Sequence, residues 1–248
     1  MAIPLLWLDE TPSTNAYLKA RFLRGEIPAE TAVAAHRQTA GRGRLGRTWE
    51  CAPSQALALS VLFPRALPAA VTLAVGVAVC RAVARVCGTK TQLKWPNDIV
   101  CNNRKIGGIL CEGLVGDRCA TVVGIGLNVA QPAAFFAEKG LPYGGSLRSE
   151  TGKTVALTSL ADAVVEAVID AVKTLETEGF AALKADFSAR CVTLQSAVCV
   201  LSPAGEPMWC GTATGVDDDG DLLVTDENGE THAVCAGEVS VRGVYGYV

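Results

Sequence analysis

The feature that most constrains the fold is a change of pattern near residue 190. Before it, apolar strand-like segments such as 56–63 alternate with helix-like stretches such as 158–179. After it, short apolar segments are separated by turn pairs, Asp219-Gly220 among them, as in β-hairpins. The pattern predicts an α+β domain over residues 1–190, followed by a small all-β module over residues 191–248.

Composition and charge exclude several classes of protein. Half of the 248 residues are hydrophobic and the formal net charge is −3, which suits a sizeable core and argues against general binding to nucleic acid. The most apolar run, 67–80, is too short to cross a bilayer, and it predicts a buried helix over 68–87 that ends at Gly88. Since the N-terminus lacks the features of a signal peptide, we expect a cytoplasmic protein without a membrane role.

The ten cysteines argue for reduced thiols rather than for a metal site. None of them has C-x-x-C spacing, and the chain contains only two histidines, so we expect no metal bound directly by cysteine or histidine. In a protein that is not exported, such thiols behave as small buried apolar groups.

Turn and cap signals predict the local structure of the first half. A strand at the N-terminus leads into a helix that Thr11 or Ser13 could cap. Asn102 and Asn103 tolerate left-handed geometry, so they predict the turn of a hairpin.

Two further segments carry local predictions. Residues 131–150 are rich in Pro, Gly and Ser, which predicts a mobile loop. Ser159 and Asp162 fit a capping box at the start of the helix over 158–179, and Gly179 follows its end.

Arginine and glycine are concentrated in the segment 36–50, "HRQTAGRGRLGRTWE". "GRGRLG" formally matches a dinucleotide-binding loop, but a strand pattern follows it where that loop needs a helix. The segment is also too short and unrepeated for a nucleic-acid arm. Every cation between residues 37 and 47 is arginine, which suits bidentate binding of a carboxylate or phosphate. A site for an anionic small molecule is therefore favoured over a solvated loop, which stays the competing interpretation.

Three further motifs, "KWPND", "RKIGGIL" and "GIGLN", lie in the same domain. If the first two lie on hairpin arms, Lys94, Asn97, Asp98 and Lys105 can converge at one end of the sheet. Taken singly, each motif is equally compatible with an ordinary turn, a bulge or a packing contact. Because no nucleophile elbow or Walker loop is present, the chemistry on offer is electrostatic stabilisation of a carboxylate that attacks a phosphate.

The motifs "STN", "GRGRLGRTWE", "LKWPNDI", "RKIGGIL" and "GIGLN" occur in the order found in biotin–protein ligases, which this chain resembles over essentially its whole length. The C-terminal "GEVSVRG" resembles the family's closing strand. The resemblance implies a mixed central β-sheet flanked by helices, as in class II aminoacyl-tRNA synthetases, followed by an SH3-like β-barrel. Lipoate–protein ligases share the catalytic fold without this set of motifs.

The resemblance also implies an activity in two steps. Biotin and ATP, with Mg²⁺, give biotinyl-5′-AMP, and a lysine of a biotin carboxyl carrier protein domain then displaces AMP. A homodimer is compatible with the resemblance. Because the chain begins at the catalytic strand, we expect neither the DNA-binding domain nor the repressor role of some family members.

The resemblance assigns roles residue by residue, and it implies that Lys105, Arg42 and Arg44 are catalytic. The residues expected to bind biotin are Ser13, Thr14, Gln38, Gly41, Arg42, Arg44, Lys105, Gly108, Leu110, Gly124 and Gly126. Those expected at the nucleotide or phosphates are Arg44, Lys94, Asn97, Asp98, Lys105, Asn128 and Arg242. The segment 131–150 is expected to cover the adenine, but sequence does not rank its aromatic residues Phe135, Phe136 and Tyr143.

Two alternatives remain, and the first of them comes from another class of protein. One is a non-catalytic module that binds anions or nucleic acid through the arginine loop, which would show salt-dependent affinity and no turnover. The other is a lipoate-type acyl ligase, which a comparison of biotin with lipoate would separate.

Overall fold

The structure is a computed structural model that describes residues 3–50, 52–202 and 206–236, together with the backbone of residues 240–243. In those ranges the helices are α1 (Thr14–Leu23), α2 (Val71–Cys87), α3 (Ala133–Glu138), α4 (Leu147–Thr151), α5 (Leu157–Glu178) and α6 (Ala181–Arg190). The strands are β1 (Leu5–Thr11), β2 (Thr31–Gln38), β3 (Ala56–Phe63), β4 (Gln92–Lys94), β5 (Asp98–Cys101), β6 (Arg104–Leu114), β7 (Ala120–Asn128), β8 (Ala197–Leu201), β9 (Pro207–Val216), β10 (Leu222–Thr225), β11 (Thr231–Val234) and β12 (Ser240–Gly243).

The strands form two sheets. A seven-stranded mixed sheet has the order β1-β2-β3-β7-β6-β5-β4. Only β1 and β2 pair in parallel within it, and α1 supplies the crossover that a parallel pair needs. A five-stranded antiparallel sheet has the order β11-β10-β9-β8-β12. The predicted fold class is confirmed: helices flank a mixed central sheet, and a small antiparallel sheet follows.

Strand β3 is buried along its whole length because helices cover both of its faces. On one face, Leu18 and Phe22 of α1 pack in a cluster with Leu62. On the other face, α2 and α5 pack against each other and belong to the main core. Burial on both faces explains why the strand carries no charged residue. Each fully buried leucine in it contributes about 2 kcal/mol.

The ends of α1 and α2 follow their predicted signals. The Ser13 side chain accepts a hydrogen bond from the Ala16 N–H and so caps α1. Helix α2 begins at Val71 rather than at residue 68 and ends at Gly88, whose φ of 58° is left-handed. Among the described residues, no helix combines the length and the apolar character that crossing a bilayer requires.

The predicted capping box at Ser159 is wrong. Helix α5 begins at Leu157, and its N-cap residue, Ala156, provides no side-chain hydrogen bond. Leu160 is fully buried and Leu157 packs against the same core. Their burial stabilises a first turn that lacks a polar cap, because tertiary packing outweighs local capping. The predicted end at Gly179 is confirmed.

The prediction of a loop over residues 131–150 is also wrong. The segment contains the short helices α3 and α4, and Phe136 and Leu147 are buried. The hydroxyls of Ser146 and Ser149 form a capping box at the start of α4. The two buried apolar residues anchor the segment, and Pro132 and Ser146 are the N-cap residues of its helices.

The small antiparallel sheet shares the core of the first sheet. Val198, Ala213 and Leu222 belong to the same apolar cluster as the buried residues of α2 and α5. The indole N–H of Trp95 donates a hydrogen bond of 3.0 Å to the Gly220 carbonyl. Over the described residues the sheet is open, so the closed barrel that the resemblance implied is not seen in this part of the chain.

The expectation that all cysteines are reduced needs one correction. Cys199 and Cys210 lie opposite each other in the β8–β9 pair and form a disulfide. The buried thiols Cys80 and Cys191 fit the expected apolar role. Burial raises the pKa of the Cys80 thiol to about 11, so that group stays protonated at neutral pH.

Candidate functional site

A cavity of about 630 Å³ lies beside the N-terminus of α1. Val122 of β7 packs under α1, and Gly124 and Gly126 follow it at the two-residue period that keeps side chains on one face of a strand. Both glycines line the cavity, so the cavity lies on the face of the sheet that α1 covers. Because glycine has no side chain, both positions leave space on that face of the sheet.

Most of the residues predicted from the sequence meet at this cavity. Its walls come from the start of α1, the end of β2, the arginine-rich loop, the β4–β5 turn and the middles of β6 and β7. The predicted residues that line it are Ser13, Thr14, Gln38, Arg42, Arg44, Lys94, Asn97, Asp98, Lys105, Gly108, Leu110, Gly124, Gly126 and Asn128.

Among the predicted residues that the structure describes, Gly41 does not line the cavity. Gly41 is buried beside the loop, and a Cβ added there would lie 2.6 Å from the carbonyl oxygen of Trp49. Any larger residue at position 41 would therefore displace the loop. The side chain of Arg242 lies outside the described residues.

A β-bulge brings Lys105 to the cavity face of β6. The register of the β5–β6 pair shifts between Ile99 and Val100, so that Lys105 pairs with Val100 while Gly107 pairs with Ile99. Lys105 and Gly108 are an odd number of residues apart and would point to opposite faces of a regular strand. The inserted residue reverses the alternation, and both residues line the same cavity.

Lys105 already has an anionic partner. Its Nζ lies 2.5 Å from Oδ1 of Asp98, and the two side chains are 31% and 16% exposed. The same Nζ lies 5.9 Å from the ring centroid of Trp49, within the range of a cation–π contact. An anion that enters the cavity would approach a lysine that is already paired with a carboxylate. The charge of Asp98 therefore offsets part of the attraction between Lys105 and the ligand.

The arginine-rich loop is closed by its own backbone. The Gly43 N–H donates a hydrogen bond of 2.7 Å to the carbonyl of Arg47, and Arg42 bridges to Thr48. The intervening turn places Leu45 at a φ of 55°, a conformation that costs a side-chain-bearing residue energy. The loop therefore has a defined arrangement that depends on few hydrogen bonds.

The Arg44 side chain connects this loop to both sheets. Its guanidinium donates to the Asn97 side-chain oxygen at 3.1 Å and also to the backbone carbonyl of Ala236. Burial lowers the pKa of Arg44 from its ordinary value; Asp98 opposes this effect, and the charge of Arg47 adds to it. The group remains a cation at neutral pH, held between the β4–β5 turn and the residues that follow β11.

Trp49 is a cavity residue to which sequence reasoning assigned no role. Its indole lies against Gly126, where an added Cβ would be 2.5 Å from the ring, and approaches Gly108. Its buried Nε1 has no hydrogen-bond partner among the described residues. A buried N–H donor without a partner is costly, which suits a site where a ligand acceptor can meet it. The signal in the sequence was an aromatic residue two positions after the last arginine of the loop.

Asn15 is a second residue that sequence reasoning left out. Its side chain occupies the space above Gly124, where an added Cβ would lie 2.4 Å from Oδ1. Gly124 and Gly126 were predicted as places where a ligand approaches the backbone. The structure supplies another reason for them, since each makes room for a protein side chain.

The segment 131–150 also contributes to the cavity wall. The Lys105 N–H donates a hydrogen bond of 2.7 Å to the Tyr143 carbonyl, which ties the segment to β6. Phe136 and Tyr143 line the cavity, with Phe136 buried and Tyr143 half exposed, whereas Phe135 does not line it. Phe136 and Tyr143 are therefore the aromatic residues of this segment that could contact a ligand, a distinction that the sequence could not make.

Among the described residues, one group of potential metal ligands is found away from the cavity. Asp226, Glu230 and His232 bring their ligand atoms within 4.8 Å of one another at the β10–β11 hairpin. His232 lies 3.1 Å from the Asp226 carboxylate, which accounts for its position without a metal. Inside the cavity, Asp98 is the carboxylate nearest to Lys105.

Comparison with known proteins matches both parts of the chain. The family described as "Biotin/lipoate A/B protein ligase family" matches residues 7–129, and "Biotin protein ligase C terminal domain" matches residues 198–242. Together the two matches span both sheets of the fold.

Two curated relatives and one solved structure are similar over nearly the whole chain. The biotin–[acetyl-CoA-carboxylase] ligase of Paracoccus denitrificans is 33% identical, covering 95% of this chain and 100% of that protein. The Mycobacterium tuberculosis protein of the same name is 34% identical, covering 93% and 86%. A biotin protein ligase from Aquifex aeolicus, solved with biotin and ATP, superposes with a TM-score of 0.82 at 29% identity, covering 96% and 98%.

Proposed function

The chain belongs to the biotin protein ligase family, and from that membership we propose that it is an ATP-dependent biotin–protein ligase. It converts biotin and ATP into biotinyl-5′-AMP and pyrophosphate, and then transfers biotin to a lysine of a carrier domain. The observation that carries this proposal is the single cavity that the polar group Ser13, Thr14 and Gln38 shares with the cations Lys105 and Arg44.

In the first step, a carboxylate oxygen of biotin attacks the α-phosphorus of ATP. A new P–O bond forms, the bond to the bridging oxygen breaks, and pyrophosphate leaves with its electrons. Lys105 and Arg44 are the residues that we expect to stabilise the charge on these oxygens, because cations held in a partly buried site act without reorganising. Arg42 lies in the same loop as Arg44 and adds another cation to the cavity wall.

In the second step, the amine of the acceptor lysine attacks the acyl carbon of biotinyl-5′-AMP. An amide bond forms, the C–O bond to AMP breaks, and the amine releases one proton to water. Negative charge gathers on the leaving AMP, so the same cations serve again. Lys94, Asn97 and Asn128 line the cavity and are proposed to contact the nucleotide.

Mg²⁺ is proposed to enter with ATP. It prefers oxygen ligands and binds through one or two carboxylates plus phosphate oxygens. The donor set fits this preference: Asp98 offers a carboxylate next to Lys105, and Asn97 offers an amide oxygen. When bound, the ion would neutralise phosphate charge, while Asp98 would share its carboxylate between the ion and Lys105.

The partner that we propose is a biotin carboxyl carrier protein domain of a biotin-dependent carboxylase. The names of the relatives from Paracoccus denitrificans and Mycobacterium tuberculosis, both biotin–[acetyl-CoA-carboxylase] ligases, support this choice. We also propose a cytoplasmic location. Because disulfides are rare in that compartment, alkylation in intact cells should find Cys199 and Cys210 as free thiols, and finding the disulfide of the structure intact there would contradict this location. Sedimentation with and without biotin and ATP tests for a homodimer.

Mass spectrometry of an acceptor domain tests the function directly. The domain is incubated with this protein, biotin, ATP and Mg²⁺, and the expected result is a mass increase equal to one biotin. Replacing biotin with lipoate should leave the acceptor unmodified. Modification by lipoate alone would indicate the lipoate-type ligase. No modification together with salt-dependent binding of nucleic acid would indicate the binding module.

A further inference from the structure

A chain of polar side chains leads from the ion pair Lys19–Glu112 to the cavity wall. Lys19 Nζ lies 2.6 Å from Glu112 Oε1, and Glu112 Oε2 accepts a hydrogen bond of 2.7 Å from Asn15 Nδ2. Ser60 Oγ lies 2.6 Å from Asn15 Oδ1 and 2.7 Å from Thr14 Oγ1. Asn15, Ser60 and Thr14 are 6%, 0% and 3% exposed. We call these five residues the polar chain.

The Asn15 amide has one possible orientation. Two groups on one side of it, the Leu110 carbonyl at 3.2 Å and the Glu112 carboxylate, can only accept hydrogen bonds. The amide nitrogen must therefore face them, which leaves the amide oxygen facing Ser60. Burial by itself raises the pKa of Glu112, but the hydrogen bonds from Lys19 and Asn15, with the charges of Lys19 and Arg42, hold it below its ordinary value. Glu112 is thus an ionised acceptor at neutral pH.

Because each hydroxyl has only one hydrogen to donate, the direction of each hydrogen bond in the polar chain follows. Ser60 has one hydrogen and must give it to the oxygen of Asn15, because that oxygen cannot donate. Thr14 Oγ1 lies 2.7 Å from Ser60 Oγ and 3.1 Å from Gln38 Oε1, and its one hydrogen can serve only one of them. Because the Ser60 hydrogen is already given to Asn15, we assign the Thr14 hydrogen to the shorter contact, with Ser60 Oγ, which leaves the contact with Gln38 Oε1 without a hydrogen. Gln38 Oε1 accepts the Thr14 backbone N–H at 2.8 Å. On the cavity side, Thr14 Oγ1 is left as an acceptor and the Gln38 amide nitrogen as a donor.

We propose that Glu112, held by Lys19, is a positioning residue that orients the polar chain so that Thr14 Oγ1 can only accept a hydrogen bond from the bound substrate. This inference rests on the proposed function. The head of biotin is a cyclic urea with two N–H donors and one carbonyl acceptor. A wall that presents an acceptor at Thr14 and a donor at Gln38 matches a cyclic urea. It disfavours a head group that lacks an N–H, because buried polar groups would then lose their partners.

The test measures the dissociation constant for biotin by calorimetry on the full chain without nucleotide. Glu112→Gln keeps the size of the side chain but lets its amide donate as well as accept, and Ser60→Ala interrupts the polar chain. Each change is made in the parent and in Thr14→Val. Glu166→Gln removes a carboxylate from the exposed pair with Arg85 and is the matched control. Thermal unfolding checks that each variant folds.

In the parent background, Glu112→Gln and Ser60→Ala should each weaken biotin binding about tenfold, in line with one hydrogen bond. In the Thr14→Val background they should change it less than twofold, because their effect passes through the Thr14 hydroxyl. The control should not change it, and the KM for ATP should stay constant. If Glu112→Gln does not fold, Ser60→Ala carries the comparison.

Two outcomes overturn the inference alone while the proposed function stands. One is normal biotin affinity in both variants, and the other is an equal loss in both backgrounds, which would show a general structural role. A parent that neither binds biotin nor releases pyrophosphate with biotin and ATP overturns the proposed function, and this inference with it.

Discussion

At the residue scale, the ion pair between Lys105 and Asp98 is the contact that an anionic ligand must change. Their charged atoms lie 2.5 Å apart, and both side chains face the cavity. Lys105 reaches this place through a bulge in β6, so its position depends on backbone geometry as well as on charge. We propose that a cation so placed contacts the carboxylate and the phosphate in turn.

Lys105→Ala should slow both half-reactions by roughly 10²-fold, the effect of losing one preorganised electrostatic contact. The measurements are pyrophosphate exchange and single-turnover transfer from preformed biotinyl-5′-AMP, with Lys94→Ala as the comparison. The fold should stay intact by circular dichroism. If Lys105 were an ordinary surface residue, the change would cost less than about 0.5 kcal/mol. Near-normal rates in both assays would move the assignment to Lys94 or to the arginine loop.

Arg44→Gly should weaken retention of biotinyl-5′-AMP more than its formation. The change removes the contacts of the loop with Asn97 and with the Ala236 carbonyl, so the loop would open the cavity to water. Adenylate that escapes would then acylate lysines of bystander proteins. The assay is biotin labelling of serum albumin beside the acceptor domain, with Arg37→Gly as a control outside the cavity. Labelling restricted to the acceptor would contradict the retention role.

At the element scale, the loop over residues 41–47 is stabilised by fewer contacts than the helices on the opposite face of the sheet. The loop depends on the Gly43–Arg47 backbone bond and the side chain of Arg44. Helices α2 and α6 are joined by a cluster in which Asp186 accepts hydrogen bonds from Arg81 and Arg190 at 2.8 and 2.6 Å, and both rest on the main core.

The loop should become protected from trypsin when biotin or its adenylate binds. Glycine residues give it conformational freedom, and its arginines are cleavage sites. We expect the cleavage rate at Arg42, Arg44 and Arg47 to fall at least tenfold with saturating biotin, as measured by mass spectrometry of fragments. Cleavage after Arg118, in an exposed turn, is the internal reference. Equal cleavage of the loop with and without biotin would rule out ordering by the ligand.

Asp186→Asn should lower the free energy of unfolding by about 1 kcal/mol at pH 7, as for a partly exposed ion pair. Burial by itself raises the pKa of Asp186, but the hydrogen bonds and charges of Arg190 and Arg81 hold it below its ordinary value. The contribution is therefore present above the pKa of the unfolded state and is lost as pH falls through the folded pKa. Urea unfolding at several pH values checks this, with Asp162→Asn as control. A difference that persists in strong acid would contradict the charge interpretation.

At the scale of the whole molecule, residues 1–190 and 191–248 are proposed as two domains. The first sheet and its helices fall in the first range, and the small antiparallel sheet falls in the second. One apolar cluster nevertheless contains residues of both, and Trp95 joins them through Gly220. We therefore expect the two domains to unfold as one cooperative unit.

Trp95→Phe should lower the free energy of unfolding of the whole chain by about 2 kcal/mol. The change leaves the buried Gly220 carbonyl without its donor and a space beside it. Far-ultraviolet circular dichroism and tryptophan fluorescence should report one shared urea transition for parent and variant alike. Trp7→Phe, on half-buried β1, should cost less. Two separate transitions in the parent would show that the domains are independent.

Much of this protein could be predicted from the sequence because its signals are local. The two-residue period of the strands, the left-handed turn at Asn102 and Asn103 and the glycine after α2 all act within a few residues. The motifs likewise identified the residues that line the cavity, because the family resemblance carried them over by position. Local signals therefore predicted most of the elements and their order, whereas the candidate site was predicted through the family resemblance.

Only the tertiary structure decided features that depend on partners distant in the chain. The bulge that turns Lys105 toward Gly108 arises from pairing with β5, and Trp49 and Asn15 enter the site because Gly126 and Gly124 of another strand leave space. Buried apolar contacts replaced the cap predicted at Ser159. In each case the stabilising contacts join residues that are far apart in the sequence. Their free energy is gained only when the chain folds back on itself, so local sequence signals do not predict them.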